Sequence, residues 1–168
     1  KERGLREKLY KENNVMEIIK IEAGNKDLIA DIVDYETVIF GDGGIGRWTI
    51  MPFIRYGEIY ATVHENEVIS AVELMKAFDG EEVYIYGFFT KEKYSGKGYG
   101  SKLLEFTINE MRKNKVKVLS LTVDPENETA KNLYLKHGFK EAGLLEDEYG
   151  EGVHRLYLKL FLDKQKQK

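Results

Sequence analysis

A lysine-bearing, glycine-rich stretch has the residue types and spacing that an anion-binding site needs. It reads Thr90-Lys91-Glu92-Lys93-Tyr94-Ser95-Gly96-Lys97-Gly98-Tyr99-Gly100-Ser101-Lys102. Glycine permits positive φ and a close approach of backbone to a ligand, and the first turn of a helix has unpaired N–H groups. Four lysines outnumber one glutamate here, in a chain whose net charge is −3. With the helix dipole, these features predict a site for a polyphosphate.

The elements around this stretch must hold it in position. Glu82–Thr90, rich in aromatic and β-branched residues, is predicted as a strand, and Ser101–Lys113 as a helix. Val116–Val123 is predicted as a second strand, and Asn127–His137 as a helix that ends at Gly138. The apolar stripe of the first helix comprises Leu103, Leu104, Thr107, Ile108 and Met111.

The remaining elements predict a mixed sheet. Met16–Glu22 is a predicted strand, and Lys26–Phe40 has helical spacing through Leu28, Ile29, Ile32, Val33 and Glu36. A glycine-rich loop at Gly41–Gly46 and a turn at Pro52 are expected next. The other predicted strands are Glu58–His64, Val68–Phe78, Lys140–Glu146 and Val153–Leu162, with tight turns at Glu65-Asn66-Glu67 and Asp79-Gly80.

This order, an antiparallel meander followed by β-loop-α-β-α-β-β, predicts an α/β fold with a mixed (α+β) sheet. We expect a single domain over residues 16–163, preceded by a charged extension at 1–15 and followed by a polar tail at 164–168. The length of 168 residues suits one domain with a hydrophobic core of its own.

Composition excludes several classes of protein. The 168 residues are 42% apolar and 33% charged, and no run approaches the roughly 20 apolar residues of a membrane span. The absence of cysteine excludes disulfides, a thiol nucleophile and thiolate metal sites. A mildly acidic chain argues against nucleic acid as a partner. The first residues contain no apolar signal region, so we expect a cytoplasmic protein rather than a secreted one.

Two motifs in the second half occur in a fixed order. The first is Ser95-Gly96-Lys97-Gly98-Tyr99-Gly100, and the second is Asn127-Glu128-Thr129-Ala130-Lys131-Asn132-Leu133-Tyr134-Leu135-Lys136-His137-Gly138-Phe139. They resemble the pyrophosphate loop and the Asn-x-x-Ala-x-x-Leu-Tyr-x-Lys-x-Gly-Phe signature of the Gcn5-related N-acetyltransferase (GNAT) superfamily. Ser95 departs from the family's usual Arg or Gln, so one long side-chain contact is missing. The motifs cover about residues 82–140, and the fold-level resemblance covers about 16–162.

The resemblance implies acetyl-coenzyme A as donor and a primary amine as acceptor, on a small molecule, a lysine or a peptide N-terminus. It also implies a GNAT-like fold with a splayed pair of parallel strands, and attack within a ternary complex. A non-catalytic acyl-coenzyme A binding module is the alternative. The cofactor-binding residues that the resemblance implies are Phe88, Phe89, Thr90, Ser95, Gly96, Lys97, Gly98, Tyr99, Gly100, Ser101, Asn127 and Tyr134.

The resemblance also implies catalytic residues. The Tyr134 hydroxyl is expected to protonate the departing thiolate, with core packing as the simpler alternative. Glu82, thirteen residues before Ser95, matches the offset of the general base in histone-modifying members. A solvated carboxylate is the alternative for Glu82, and Tyr84, Tyr86 and Glu73 are rival bases. Asn127 is either a helix N-cap or a cofactor ligand, depending on whether Asp124 takes the cap.

The resemblance further implies that the segment Gly41–Arg55 borders the acceptor, through Trp48, Phe53 and Arg55, and Tyr84 and Tyr86 are also expected to contact it. A packed loop is the alternative. The acidic turn Glu146–Glu151 is a second candidate, or simply a solvated hairpin.

The run Gly41-Asp42-Gly43-Gly44-Ile45-Gly46 matches the dinucleotide pattern GxGxxG. We reject that interpretation because the following residues are not expected to begin a helix, and no βαβ unit follows. His64, His137 and His154 lack metal-ligand spacing. No metal is therefore expected, and a homodimer is plausible.

Overall fold

The computed structural model describes residues 16–162, so the predicted extension at 1–15 and tail at 164–168 lie outside the described residues. Within that range the chain forms seven strands and four helices. The strands are β1 Glu17–Lys20, β2 Glu58–His64, β3 Glu67–Lys76, β4 Glu82–Thr90, β5 Val118–Val123, β6 Lys140–Leu145 and β7 Arg155–Phe161. The helices are α1 Lys26–Phe40, α2 Ile50–Tyr56, α3 Tyr99–Lys113 and α4 Glu128–Lys136.

The strands form one mixed sheet in the order β1-β2-β3-β4-β5-β7-β6. Strands β1 and β2 pair antiparallel, and β7 pairs antiparallel with both β5 and β6. Strands β4 and β5 form a parallel pair. The α/β mixed-sheet prediction is therefore confirmed.

The parallel pairing of β4 and β5 covers only part of each strand. Its register runs from Glu82 opposite Val118 to Ile85 opposite Leu121. Beyond this register, β4 continues for five residues to Thr90 and β5 for two residues to Val123. The pairing thus stops before either strand ends, as expected for the splayed strand pair that the resemblance implies.

The described chain divides into two compact units. The first unit comprises residues 16–73 and 87–103, and the second comprises residues 74–86 and 104–162. The core of the first unit joins α1 to its strands through side chains such as Ile32, Ile59, Ala71 and Phe89. In the second unit, the buried side chains of β4, β5 and β7 include Ile85, Leu119, Leu121 and Leu158. The prediction of a single domain over 16–163 stays a prediction.

The apolar periodicity of α3 matches its burial, since all five residues of the predicted stripe are at most 4% exposed. The helix begins at Tyr99, two residues earlier than predicted. The turn between β2 and β3 has positive φ at both Glu65 (47°) and Asn66 (63°), as the tightest hairpins require.

The prediction of a turn at Pro52 is wrong, because Pro52 lies in the first turn of α2. Proline is tolerated there, since its missing N–H has no partner to lose in the first turn of a helix. A helix therefore does follow the first glycine-rich segment, and the prediction that none begins there is also wrong. The dinucleotide interpretation still lacks its βαβ unit, because helix α1 directly precedes the glycines where a strand would be needed.

Candidate functional site

The backbone of the glycine loop, in the first unit, has the geometry that an anion site requires. Gly96 and Gly98 have φ of 72° and 85°, and a Cβ at either position would meet no atom within 4 Å. Helix α3 begins directly afterwards, and the Lys102 N–H donates to the Gly98 carbonyl at 3.0 Å. The N–H groups of the first turn precede that bond and point out of the helix end.

Two of the four lysines predicted to make this loop cationic are neutralised by carboxylates. Lys91 is buried, with its Nζ 2.6 Å from Asp31 Oδ1 and 3.2 Å from Glu67 Oε1. Lys93 Nζ lies 2.7 Å from the same Glu67 oxygen. The hydrogen bond from Lys93, with further bonds from Lys91 and Tyr94, lowers the pKa of Glu67 to about 2. The positive charge at the loop therefore comes mainly from Lys97 and Lys102.

Lys97 lies across the loop itself. Its Nζ donates to the Lys93 carbonyl at 3.0 Å and lies 5.5 Å from the centre of the Tyr94 ring. The Tyr94 ring in turn meets that of Tyr99 edge to face at 6.1 Å. These contacts hold the Lys97 ammonium beside Gly96 and Gly98.

The end of β4 is fixed by a serine that the sequence analysis missed. Ser70 is fully buried on β3, and its hydroxyl donates to the Phe89 carbonyl at 2.6 Å. The Thr90 hydroxyl donates to Ser70 Oγ at 3.0 Å, and the Phe89 ring packs 4.9 Å from that of Tyr35. A serine in a strand of buried apolar residues was the available signal, because buried hydroxyls need a partner.

Two buried carboxyl groups face the same glycine on β4. Glu36 on α1 and Glu73 on β3 are both fully buried. A Cβ on Gly87 would lie 2.1 Å from Glu73 Oε2 and 3.2 Å from Glu36 Oε1. Burial raises the pKa of Glu36, although the Ile45 N–H bonded to Glu36 Oε2 at 2.8 Å acts against it. Burial, and then the nearby Glu36 charge, raise the pKa of Glu73 well above its usual range.

Glu82, the base suggested by the sequence, lies in the second unit and is held in a network. Its Oε1 accepts hydrogen bonds from the Ser120 hydroxyl at 2.5 Å and the Tyr157 hydroxyl at 2.9 Å, and Lys159 Nζ lies 3.2 Å from Oε2. Burial acts to raise the pKa of Glu82, but these bonds together lower it. A carboxylate with a lowered pKa and three donors is poorly suited to take a proton from an ammonium.

The two tyrosines suggested beside Glu82 differ in their surroundings. The Tyr84 hydroxyl lies 2.7 Å from Thr122 Oγ1, and burial raises the pKa of Tyr84 to about 12. Tyr86 is more open, with 41% of its surface exposed. Glu82, Tyr84, Tyr86 and Phe88 share the more open face of β4, as period-2 alternation predicted.

The second motif forms α4, and its asparagine caps that helix. Asn127 Oδ1 accepts the Ala130 N–H at 3.0 Å, whereas Asp124 Oδ1 accepts the Glu126 N–H at 2.9 Å. The cap therefore belongs to Asn127 and not to Asp124. Tyr134 lies on the buried side of α4, with its ring 5.5 Å from that of Phe139.

The residues suggested for the acceptor are divided between core and surface. Phe53 packs against the core of the first unit, whereas Trp48 is 92% exposed and Arg55 is also exposed. The segment that carries them is anchored by Ile45 and Ile50, both almost fully buried.

The second candidate for the acceptor, the acidic turn, is organised by its own aspartate. Asp147 Oδ1 accepts the Gly152 N–H at 2.7 Å, and the Asp147 N–H donates to His154 Nδ1 at 3.1 Å. Among residues 16–162, no group of three or more His, Cys, Asp or Glu side chains could hold a metal ion. No helix in the same range is long and apolar enough to cross a membrane.

Comparisons with known proteins agree with the two motifs. The family model described as the acetyltransferase (GNAT) family matches residues 31–139. A curated protein of Bacillus subtilis (strain 168), named uncharacterized N-acetyltransferase YycN, is 37% identical over 65 residues. That match spans 39% of this chain and 42% of the relative's length.

Solved structures show the same fold. The ribosomal-protein-S18-alanine N-acetyltransferase of Escherichia coli has a TM-score of 0.75 at 19% identity, covering 92% of this chain and 98% of that one. A GNAT family acetyltransferase from Elizabethkingia anophelis with acetyl-CoA bound has a TM-score of 0.70 at 20% identity, covering 87% and 97%. At such identities the likeness concerns the fold. With the family model matching well over half of its length, the chain belongs to the GNAT acetyltransferase family.

Proposed function

We propose that this GNAT protein transfers the acetyl group of acetyl-CoA to a primary amine by direct attack within a ternary complex. The observation that carries the proposal is the left-handed backbone of Gly96 and Gly98, immediately before the N-terminus of α3. Such a loop presents several N–H groups to one anion, and the helix dipole adds to the attraction. The Elizabethkingia anophelis structure, which contains acetyl-CoA, has a similar fold.

The diphosphate of the donor would bind the loop from Ser95 to Ser101, with Lys97 as the nearest cation. The pantetheine arm would run along β4 at Phe88, Phe89 and Thr90, where the strand extends beyond its pairing with β5. The bond from Ser70 to the Phe89 carbonyl supports this role, because it holds the strand end in one orientation. A fixed backbone donor there would stabilise the oxyanion of the tetrahedral intermediate, an effect worth roughly 10²–10³ in rate.

The chemistry needs one proton removed before attack and one delivered afterwards. The acceptor ammonium loses a proton, its nitrogen attacks the thioester carbonyl, and the C–S bond breaks as the carbonyl re-forms. In our proposal the Tyr134 hydroxyl gives its proton to the departing sulfur and regains one from the amide nitrogen. Packing of the Tyr134 ring on Phe139 supports this role by limiting the motion of the phenol.

The acceptor side is proposed to include the segment Gly41–Arg55, with the exposed Trp48 and Arg55. Tyr86 is the most exposed residue of β4 and is a further candidate contact. The Asn127 amide is proposed to contact the donor while its oxygen caps α4. We also propose a cytoplasmic location, since the donor is an intracellular metabolite, and a homodimer, which a solution mass measurement would test.

The experiment is a thiol-release assay with acetyl-CoA and a panel of primary amines. The panel comprises spermidine, L-lysine, tyramine and an alanine-starting tripeptide, the last because the Escherichia coli neighbour is named for alanine acetylation. Amine-dependent thiol release with an acetylated product in the mass spectrum supports the proposal. Initial rates over both substrate concentrations should give intersecting double-reciprocal lines, whereas parallel lines would contradict direct attack.

The alternative is a non-catalytic module that binds acyl-CoA. It predicts CoA binding by calorimetry together with thiol release that no amine accelerates. The buried phenol of Tyr134, in a motif with matching spacing, favours the enzyme over this alternative.

A further inference from the structure

We propose that Glu36 and Glu73 together bind the ammonium group of the acceptor, and that Glu73 takes the proton that the ammonium loses before attack. This inference rests on the proposed acetyl transfer and names the base for that reaction. Both residues belong to the first unit, as does Gly87, the β4 residue that they face.

The pair offers hydrogen-bond acceptors that the described residues do not use. Glu36 Oε1 and both carboxylate oxygens of Glu73 are buried and have no hydrogen-bond partner among residues 16–162. Buried carboxylate oxygens are almost always hydrogen-bonded, so three unpaired ones in one place need an explanation. A primary ammonium has three N–H donors. The number and the charge of the acceptors therefore match this one chemical group.

Gly87 leaves room for the Glu73 carboxylate, which occupies the place that a side chain at position 87 would need. The position of a Cβ on Gly87 lies 2.1 Å from Glu73 Oε2, closer than any real Cβ approaches an oxygen. Any other residue at position 87 would have to push the Glu73 carboxylate aside. Only glycine therefore leaves the two carboxyl groups converging on one point beside β4, next to Phe88 and Phe89 of the proposed donor site.

The surroundings make the pair a proton acceptor. The face of the sheet towards α1 presents apolar residues of β2, namely Ile59, Ala61 and Val63, and Gly87 and Phe89 of β4. On α1, the neighbouring Tyr35 hydroxyl accepts a hydrogen bond from the Glu92 N–H at 3.0 Å. Glu36 is thus the charged group that acts on Glu73, and it disfavours a second negative charge. The pair holds one proton readily, and an incoming cation favours its release to the fully ionised form.

The step balances as follows. One N–H bond of the ammonium breaks, and its proton moves to a Glu73 oxygen, leaving a neutral amine with a lone pair. After attack and loss of the thiol, that proton leaves Glu73 for water. The net reaction is ammonium plus thioester giving amide, thiol and one released proton.

The test is a carboxyl-carbon NMR titration of glutamate-labelled full-length protein, with CoA present and absent. We expect one glutamate signal in the wild type to titrate well above the ordinary range, and to be missing in Glu73→Gln. In Glu36→Gln it should titrate at lower pH, because the like charge is gone. Added n-butylammonium should lower the pH at which this signal titrates in the wild type, whereas 1-butanol, the neutral analogue, should not. Titration of both groups in the ordinary range, or no response to the amine, would overturn the proposal.

Kinetics provide the second readout, with the panel amine that reacts fastest. Glu73→Gln should lower kcat/KM about 100-fold. Glu36→Gln should raise the KM for the amine, because one of the two carboxylates that bind the ammonium is gone, and should move the rising limb of the pH profile to lower pH. Gly87→Ala should also lower kcat/KM, because the flexible carboxylate must move, while Gly24→Ala, where a Cβ meets nothing, should not. Full activity in Glu73→Gln would refute the base.

The two proposals fail in different ways. If no amine is acetylated but n-butylammonium still shifts the glutamate titration, the acetyl transfer is wrong and the ammonium site stands. If amines are acetylated with unchanged kinetics in Glu73→Gln and Gly87→Ala, the acetyl transfer stands and the pair has no part in it.

Discussion

Lys91 Nζ lies 2.6 Å from Asp31 Oδ1, which ties the residue after β4 to helix α1. Asp31 Oδ2 also accepts the Val68 N–H at 2.8 Å, so one carboxylate joins α1 to β3 and to the end of β4. The entrance to the glycine loop is therefore braced by an ion pair between residues 60 positions apart. Lys91, which was predicted to give the loop positive charge for a ligand, instead stabilises the start of the loop through this ion pair.

Lys91 and Lys97 should give opposite results when each is replaced by methionine. Lys91→Met leaves Asp31 without its charged partner, so we expect about 1–3 kcal/mol less stability and little change in CoA affinity. Lys97→Met should leave stability unchanged and weaken CoA binding, with a smaller salt dependence. Denaturant unfolding and calorimetry at two salt concentrations measure both. Equal loss of CoA affinity in the two variants would contradict this assignment.

The Glu67 carboxylate should make the fold sensitive to acid. Because its pKa falls from an ordinary 4.5 to about 2 in the folded protein, its stabilisation is complete above pH 4.5 and is lost as pH falls towards 2. Glu67→Gln should therefore have a lower Tm than the wild type near neutral pH, with a cost of about 0.5–1 kcal/mol for these partly exposed pairs. The Tm values of the two proteins should converge as the pH is lowered towards 2. A constant difference across that range would show that charge is not the cause.

The glycine at position 98 should be needed for its backbone conformation. Alanine at φ of 85° is strained, so Gly98→Ala should distort the loop and weaken CoA binding by about tenfold, equivalent to 1.4 kcal/mol. Gly152→Ala is the matched control, since Gly152 has φ of 77° and open space around it. Calorimetric titration with CoA should show unaltered affinity in the control. Unaltered affinity in Gly98→Ala would count against the phosphate site.

Local patterns in the sequence were sufficient for most elements. The helix Lys26–Phe40 and the strand Glu82–Thr90 were predicted with the bounds that the structure has, because each has a single dominant hydrophobic period. The prediction at Pro52 was wrong because proline is compatible with both a turn and the first turn of a helix.

Contacts between residues far apart in the sequence could not be predicted from local sequence patterns. The pairing of Lys91 with Asp31, and the meeting of Glu36 with Glu73, depend on how α1 packs on the sheet. One signal was available: Glu36 occupies the apolar stripe of α1, where a carboxylate is costly to bury and needs a reason.

Asn127 should have two separable roles. Asn127→Ala removes the cap on Ala130 N–H and should cost about 1 kcal/mol of stability. Asn127→Ser keeps a capping oxygen, so it should recover most of that stability. Serine lacks the amide donor proposed to contact CoA, so CoA should still bind about fivefold more weakly, the effect of one hydrogen bond. Wild-type CoA affinity in Asn127→Ser would leave Asn127 with the cap alone.

Tyr134 should affect the chemical step and not the binding of donor. Tyr134→Phe keeps the ring that packs against Phe139, so CoA affinity should stay close to that of the wild type. It removes the hydroxyl proposed to protonate sulfur, so kcat should fall by about 10²-fold or more. Tyr56→Phe, at a tyrosine that is 85% exposed, is the control and should leave kcat unchanged. Without the Tyr134 hydroxyl, this proposal leaves the departing thiolate without a proton donor. A Tyr134→Phe enzyme with wild-type kcat would therefore mean that water or another group protonates the sulfur.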